Sequence, residues 1–214
     1  MSKATEPASS SQRSDVKPTR NKVRLAVAAG GGLTVLSLTA ALAISALLPA
    51  GGHLSVPPTT AATEPSLEGT VVYDQVLPFR IDTLAGTLFC AGNLENRVIR
   101  STATGDFDFY YRVRNTKGPG TLGRLVTSSF AGLPLRVAYR ADGPGKVDPR
   151  VAIRSAAPGA AVTFELFDTL SCARHQGSRF MLIETMAKTF HNGGQTRIFS
   201  TKGTGETLPT VMPG

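Results

Sequence analysis

Two hydrophobic patterns divide the chain. Between Leu25 and Ala50 (residues 25–50) the sequence LAVAAGGGLTVLSLTAALAISALLPA carries no charged side chain and has no amphipathic face. From Gly69 onward, apolar residues recur at every second position, the period of a strand that turns one face to a core. Within 107–115, Phe107, Phe109, Tyr111 and Val113 share one face, while Asp108, Tyr110, Arg112 and Arg114 share the other. That alternation predicts a half-buried strand with its second face in solvent. Leu135, Val137 and Tyr139 alternate with Arg136, Ala138 and Arg140 in the same way, and Val162, Phe164 and Leu166 alternate with Thr163 and Glu165. Residues 180–185, FMLIET, are apolar on both sides and predict a central strand covered on both faces. Weaker strand patterns fall at 70–76, 87–90, 97–102, 124–128, 151–155 and 196–200.

Between these segments lie Thr104-Gly105, Lys117-Gly118-Pro119-Gly120, Asp142-Gly143-Pro144-Gly145, Pro158-Gly159 and Asn192-Gly193-Gly194. Glycine supplies positive φ and proline fixes φ, so each of these marks a chain reversal. About eight to ten short strands at this spacing predict an all-β fold, an antiparallel β-sandwich. One N-terminal hydrophobic helix precedes it.

As a helix, residues 25–50 would extend about 39 Å, against a hydrocarbon core of about 30 Å. Lys17, Arg20, Lys22 and Arg24 abut the run on its N-terminal side, which predicts the N-terminus inside and the later domain outside the cytoplasm. Two readings stay open. An uncleaved signal anchor would tether the domain; a cleaved signal peptide would use a small-residue site at Ala41-Leu42-Ala43, at 45–47, or ending at Ala50. The expected organisation is a disordered basic tail (1–24), the signal-anchor helix or signal peptide (25–50), a Pro/Thr-rich linker (51–68), the sandwich (69–203) and a flexible tail (204–214).

Charge changes the picture little. The formal net charge is +8, and half of it comes from residues 1–24, where six basic side chains face two acidic ones. The remaining excess is scattered over strands, without the clustered module that nucleic-acid binding needs, so no nucleic-acid partner is expected. The two cysteines, Cys90 and Cys172, both follow the apolar run. In an exported domain they suit a disulfide, which would close a loop of about 80 residues and contribute on the order of 3–4 kcal/mol. Two separate buried thiols are the alternative.

No residue constellation names a reaction. Cys172 and His175 stand in a Cys-x-x-His spacing but no second pair completes a zinc site, and His53 and His191 sit in linker and turn contexts. Asp106, Asp108, Glu165, Asp168 and Glu184 are the acids from which a glycosidase pair would be drawn. Asp106 with Asp108, and Asp142 with Asp148, offer oxygen ligands to calcium without matching a known loop. No metal and no cofactor is expected. Glu184, inside FMLIETM, is the acid to check for burial; Arg112 or Arg100 would be its structural partner. Tyr110, Arg112, Arg114, Arg136 and Arg140 form the candidate surface-binding set, equally explained as solvated strand faces.

The order TGDFDFYYRVRN, YRADGPGKVDPRVAIRSAAPGAAVTFELFD and GSRFMLIETMAKTF resembles the exported domain of bacterial PEP-CTERM sorting-signal proteins over residues 86–199. The resemblance implies a β-rich domain of the bacterial cell envelope, not a chemistry. Those proteins carry a Pro-Glu-Pro motif, a hydrophobic helix and a basic tail at the C-terminus, whereas this sequence reads Thr210-Val211-Met212-Pro213-Gly214 there. The N-terminal run is therefore expected to act as the membrane device. Two functional classes follow: a non-enzymatic envelope module that binds polysaccharide or a surface protein, and an exported hydrolase or lyase acting on cell-wall glycans.

Overall fold

The computed structural model describes residues 44–214, apart from the side chains of 167–169; the basic tail and residues 25–43 of the apolar run lie outside the described residues. The strands in chain order are β1 (Ala46–Leu47), β2 (His53–Ser55), β3 (Pro58–Thr59), β4 (Gly69–Asp82), β5 (Leu88–Ser101), β6 (Phe107–Lys117) and β7 (Thr121–Thr127). They continue as β8 (Arg136–Arg140), β9 (Val151–Arg154), β10 (Val162–Ser171), β11 (Met181–Glu184), β12 (Phe190–Ser200) and β13 (Gly205–Pro213). One sheet has the order β1-β8-β11-β6-β5-β4, with β3 also on β8; the other runs β13-β12-β7-β10-β9-β2. All neighbouring strands pair antiparallel except β3 and β8, which run parallel. This is the expected all-β sandwich.

The alternating positions have the predicted phase. Phe109, Tyr111 and Val113 of β6, Leu94 and Val98 of β5, and Leu125, Phe164 and Ile198 of the second sheet meet in one core. The FMLIET strand is central, between β8 and β6, and splits its apolar residues: Met181 and Ile183 join that core, while Phe180 and Leu182 face the other side. Segments 87–90 and 97–102 are the two ends of the single long strand β5. A chain of hydroxyls runs through the interior: Thr127 donates to the Tyr111 hydroxyl, Thr196 donates to Thr127, and Thr196 meets Thr210, each at 3.1 Å. Those bonds satisfy groups that burial would otherwise penalise.

Three expectations about boundaries are corrected. The last part of the apolar run, residues 44–50, is not helix: Ala46 and Leu47 pair with Val137 and Arg136. Residues 51–68 are not a free linker: β2 pairs with β9, β3 pairs with β8, and a 3-10 turn spans Pro65–Leu67. This N-terminal strap crosses from one sheet to the other and back. It gives partners to edge groups of β8 and β9 and buries Leu48, Val56 and Leu67. Their irregular spacing is why composition alone reads as a spacer. Within 204–214, Gly205–Pro213 likewise forms an edge strand along β12, burying Leu208 and Val211. The prolines at 209 and 213 are compatible with that because an edge strand needs only half of its N–H groups.

Two devices fix the strap and the sheets. Cys90 on β5 and Cys172 just beyond β10 form a disulfide across the two sheets, with Cα atoms 5.8 Å apart and a sequence separation of 82. Closing such a loop contributes about 4 kcal/mol in the chain-entropy picture. Arg154, only 4% exposed at the end of β9, donates to four backbone carbonyls. Its Nε reaches Gly159 O at 2.9 Å, its Nη1 reaches Leu48 O at 3.1 Å, and its Nη2 reaches Phe130 O at 3.0 Å and Leu133 O at 2.7 Å. Arg154→Met keeps the apolar stem but leaves buried acceptors without donors, at about 1–3 kcal/mol each. The expected outcome is a loss of at least about 3 kcal/mol in denaturant unfolding; a change below about 1 kcal/mol contradicts the clamp.

Candidate functional site

The outer face of the seven-stranded sheet is built by the even-numbered residues of β6, predicted to lie in solvent. Half of it does not. Asp108 is 3% exposed and Tyr110 is 2% exposed, and Tyr110 packs in one cluster with Leu67 of the strap and Phe180. Tyr110 meets Phe180 edge-on at 6.1 Å between ring centroids. Tyr110 is therefore withdrawn from the surface-binding set. Strand period assigns a residue to a face; it does not say what covers that face.

The acidic end of this face lies beneath the strap. Glu64 accepts hydrogen bonds from the Ser45 N–H at 2.8 Å, the Ser45 hydroxyl at 2.6 Å and the Thr59 hydroxyl at 3.0 Å. Arg136 donates to the Ser45 hydroxyl at 2.9 Å and to the Ser45 carbonyl, and its Nε stands 3.8 Å from Glu184. Glu184, the acid singled out in the sequence, is half-buried with 13% of its side chain exposed, and its cation is Arg136, not Arg112 or Arg100. Burial pushes the Glu184 carboxyl up to about 7; Glu64 adds to the rise, while the Ser45 hydroxyl and Arg136 oppose it. Burial also pushes Asp108 up to about 8, helped by the negative field of Glu184 and opposed by the Thr185 N–H. Burial raises the Tyr110 hydroxyl in turn, with Asp108 adding to it.

The other end is basic. Glu95, almost fully buried, is ringed by Arg97 at 2.8 Å, Arg114 at 3.4 Å and Arg112 at 3.6 Å. The Arg97 and Arg112 guanidinium groups lie over the Phe180 ring at 5.0 and 5.6 Å, a favourable cation–π arrangement. Beyond this row, a groove of about 370 Å³ opens between the end of β6 and two loops, one following β8 and one following β10. Arg112, Arg114, Asn115, Lys146, Arg174 and His175 line it together with Gln176 and the glycines 145 and 177, and no carboxylate is among them. Gly145, at φ +108°, lets its loop touch the other: a Cβ there would sit 2.1 Å from Ser178 O. Asn115 and His175, at φ +53° and +52°, are two of the three left-handed non-glycine residues among the described ones. Backbone of that kind concentrates at functional sites. The His175 ring is fixed by Nδ1 at 2.9 Å from Thr116 O.

Of the surface set, Arg112 and Arg114 line the groove. Arg136 belongs to the strap clamp, and Arg140 is held bidentately by Asp142 at 2.7 and 2.9 Å. The calcium candidates are separately ion-paired: Asp106 with Lys188 at 2.6 Å, Asp142 with Arg140, and Asp148 with Arg179 at 2.9 Å. Among the described residues, no group of three or more His, Cys, Asp or Glu could hold a metal ion. Cys172 is consumed by the disulfide, so it does not pair with His175 as a ligand. Lys146, Arg174 and Asn115 were not foreseen as site residues. The only signal for the two cations is their place beside glycine-bearing turns, Gly145-Lys146 and Arg174 to Gly177.

The two raised acids have a stability consequence with a definite sign. The folded protein holds protons on Asp108 and Glu184 that the unfolded chain releases above about pH 4. Stability therefore falls as pH rises from about 4 through about 8, and the loss is complete above that. Thermal midpoints should drop between pH 5 and pH 8, and Asp108→Asn should flatten the drop and match or exceed the parent at pH 8. A parent midpoint that rises over this range contradicts the assignment.

Compared with known proteins, the chain matches no family model, no curated protein and no solved structure.

Proposed function

We propose that this chain is a β-sandwich of the bacterial cell envelope that works outside the cytoplasm as a non-enzymatic binding module, holding envelope polysaccharide in the basic groove. The observation that carries the reading is the groove itself, with four cationic side chains, no carboxylate and a backbone set by left-handed residues. The disulfide supports an oxidising compartment, and the resemblance to PEP-CTERM sorting-signal domains supports the envelope. A surface protein is the other partner class consistent with such a groove. The hydrolase or lyase reading would draw on Asp108 and Glu184 as acids that keep a proton near neutrality, but Asp108 is only 3% exposed and so is out of a substrate's reach.

The membrane device in this reading is the apolar run up to Ala43. Its 19 residues before Ile44 would extend about 29 Å as a helix, which still suits a core of about 30 Å.

Two experiments test the proposal. The purified full-length chain should retain at least one polysaccharide in a screen of neutral and acidic envelope glycans, and lose it on replacing Arg114 and Arg174 by Ala. Retention of none, or retention indifferent to both changes, overturns it. N-terminal sequencing of the exported protein should find either the intact chain or a start at Ile44, since a later cut removes the Ser45 bonds to Glu64. A mature start at Leu48 or beyond contradicts the strap's place in the exported fold.

A further inference from the structure

We infer that the ligand of the groove is a linear acidic polysaccharide of the polyuronate type, and that it spans two consecutive subsites joined at Lys146. The inference rests on the reading of the groove as a glycan site and specifies what that glycan must be.

The first observation is continuity. Beside the groove lies a second open cleft of about 430 Å³, lined by Lys146, Val147, Asp148, Arg150 and Gln176. Lys146 and Gln176 line both. A single small anion would fill one cleft; a chain with repeated anions can occupy both.

The second observation is charge balance. The first cleft has no carboxylate in its lining, and the second has only Asp148, whose Oδ1 already takes the Arg179 Nε–H at 2.9 Å. Glu95 lies beneath Arg112 and Arg114 but serves three arginines at once. The Arg114 Nε stands 3.4 Å from Glu95 without a hydrogen bond to it, so Arg114 is not tied to that carboxylate as Arg97 is. Arginine's planar fork matches carboxylate geometry, so anions of this shape are favoured over neutral sugar faces.

The third observation separates a sugar chain from a nucleic acid. Neither cleft contains an aromatic platform of the Phe, Tyr or Trp kind, and single-stranded nucleic acids rely on such platforms for their bases. The lining instead offers side-chain amides, Asn115 and Gln176, between its cations, a composition suited to a hydroxyl-bearing backbone.

Titration of the full-length chain with oligogalacturonates of two, four and eight units tests this directly, beside neutral malto-oligosaccharides and a DNA oligonucleotide of matched charge. Affinity should rise about tenfold or more from two to four units and fall with added salt, as expected when a second subsite engages. Lys146 and Arg150 are exposed, and the double variant Lys146→Glu, Arg150→Glu is titrated beside the single variant Lys146→Glu, each after its thermal midpoint has been matched to the parent's. The double variant should lose the gain with length, whereas Arg174→Glu should weaken every oligomer, the two-unit one included. Equal affinity for two and four units overturns the second subsite. Equal binding of neutral oligomers overturns the acidic specificity while leaving a glycan module. Equal binding of DNA reduces the groove to unspecific charge, and binding of no glycan at all removes the reading on which the inference rests.

Discussion

Arg154 is the point on which the N-terminal half of the architecture turns. Its guanidinium collects carbonyls from the strap, from the connection between β7 and β8, and from the turn between β9 and β10. A planar group with five donors suits this position, because several chain segments that present only acceptors converge there. With Leu48 held in place, the strap continues along the edges of both sheets, and those edges are closed. The disulfide between Cys90 and Cys172 does corresponding work elsewhere, joining the two sheets directly.

The strap also decides the electrostatics of the outer face. Where it lies, carboxyl groups are buried and keep their protons to unusually high pH, because water is excluded and each acid feels the next. Where it stops, the same strand β6 presents Arg112 and Arg114 beside an open groove. One alternating sequence, Asp108-x-Tyr110-x-Arg112-x-Arg114, thus passes from a sealed acidic end to an open basic end along a single strand.

The groove owes its form to backbone as much as to charge. Gly145 brings the Lys146 loop against the backbone at Ser178, and two side-chain-bearing residues adopt left-handed backbone on its walls. The backbone of the loop cations is thereby set opposite the strand cations, and a backbone placed in advance would lower the entropic cost of the binding proposed above.

The sequence by itself determined the all-β class, the inner and outer faces of β6, β8, β10 and β11, and the central place of FMLIET, because a period of two is a local property of the chain. It also supplied the two cysteines as a candidate bridge, and Arg112, Arg114 and Glu184 as residues to watch. Only the tertiary structure decided that Tyr110 and Asp108 are covered, that 44–68 is a strap and not a helix end and linker, and that Gly205–Pro213 is a strand. Those outcomes depend on segments far apart in sequence, such as Ser45 with Glu64 and Arg136, or Leu48 with Arg154. The groove is of the same kind: Arg114, Lys146 and Arg174 meet only because two loops fold back onto the end of one strand, and no spacing along the chain records that meeting.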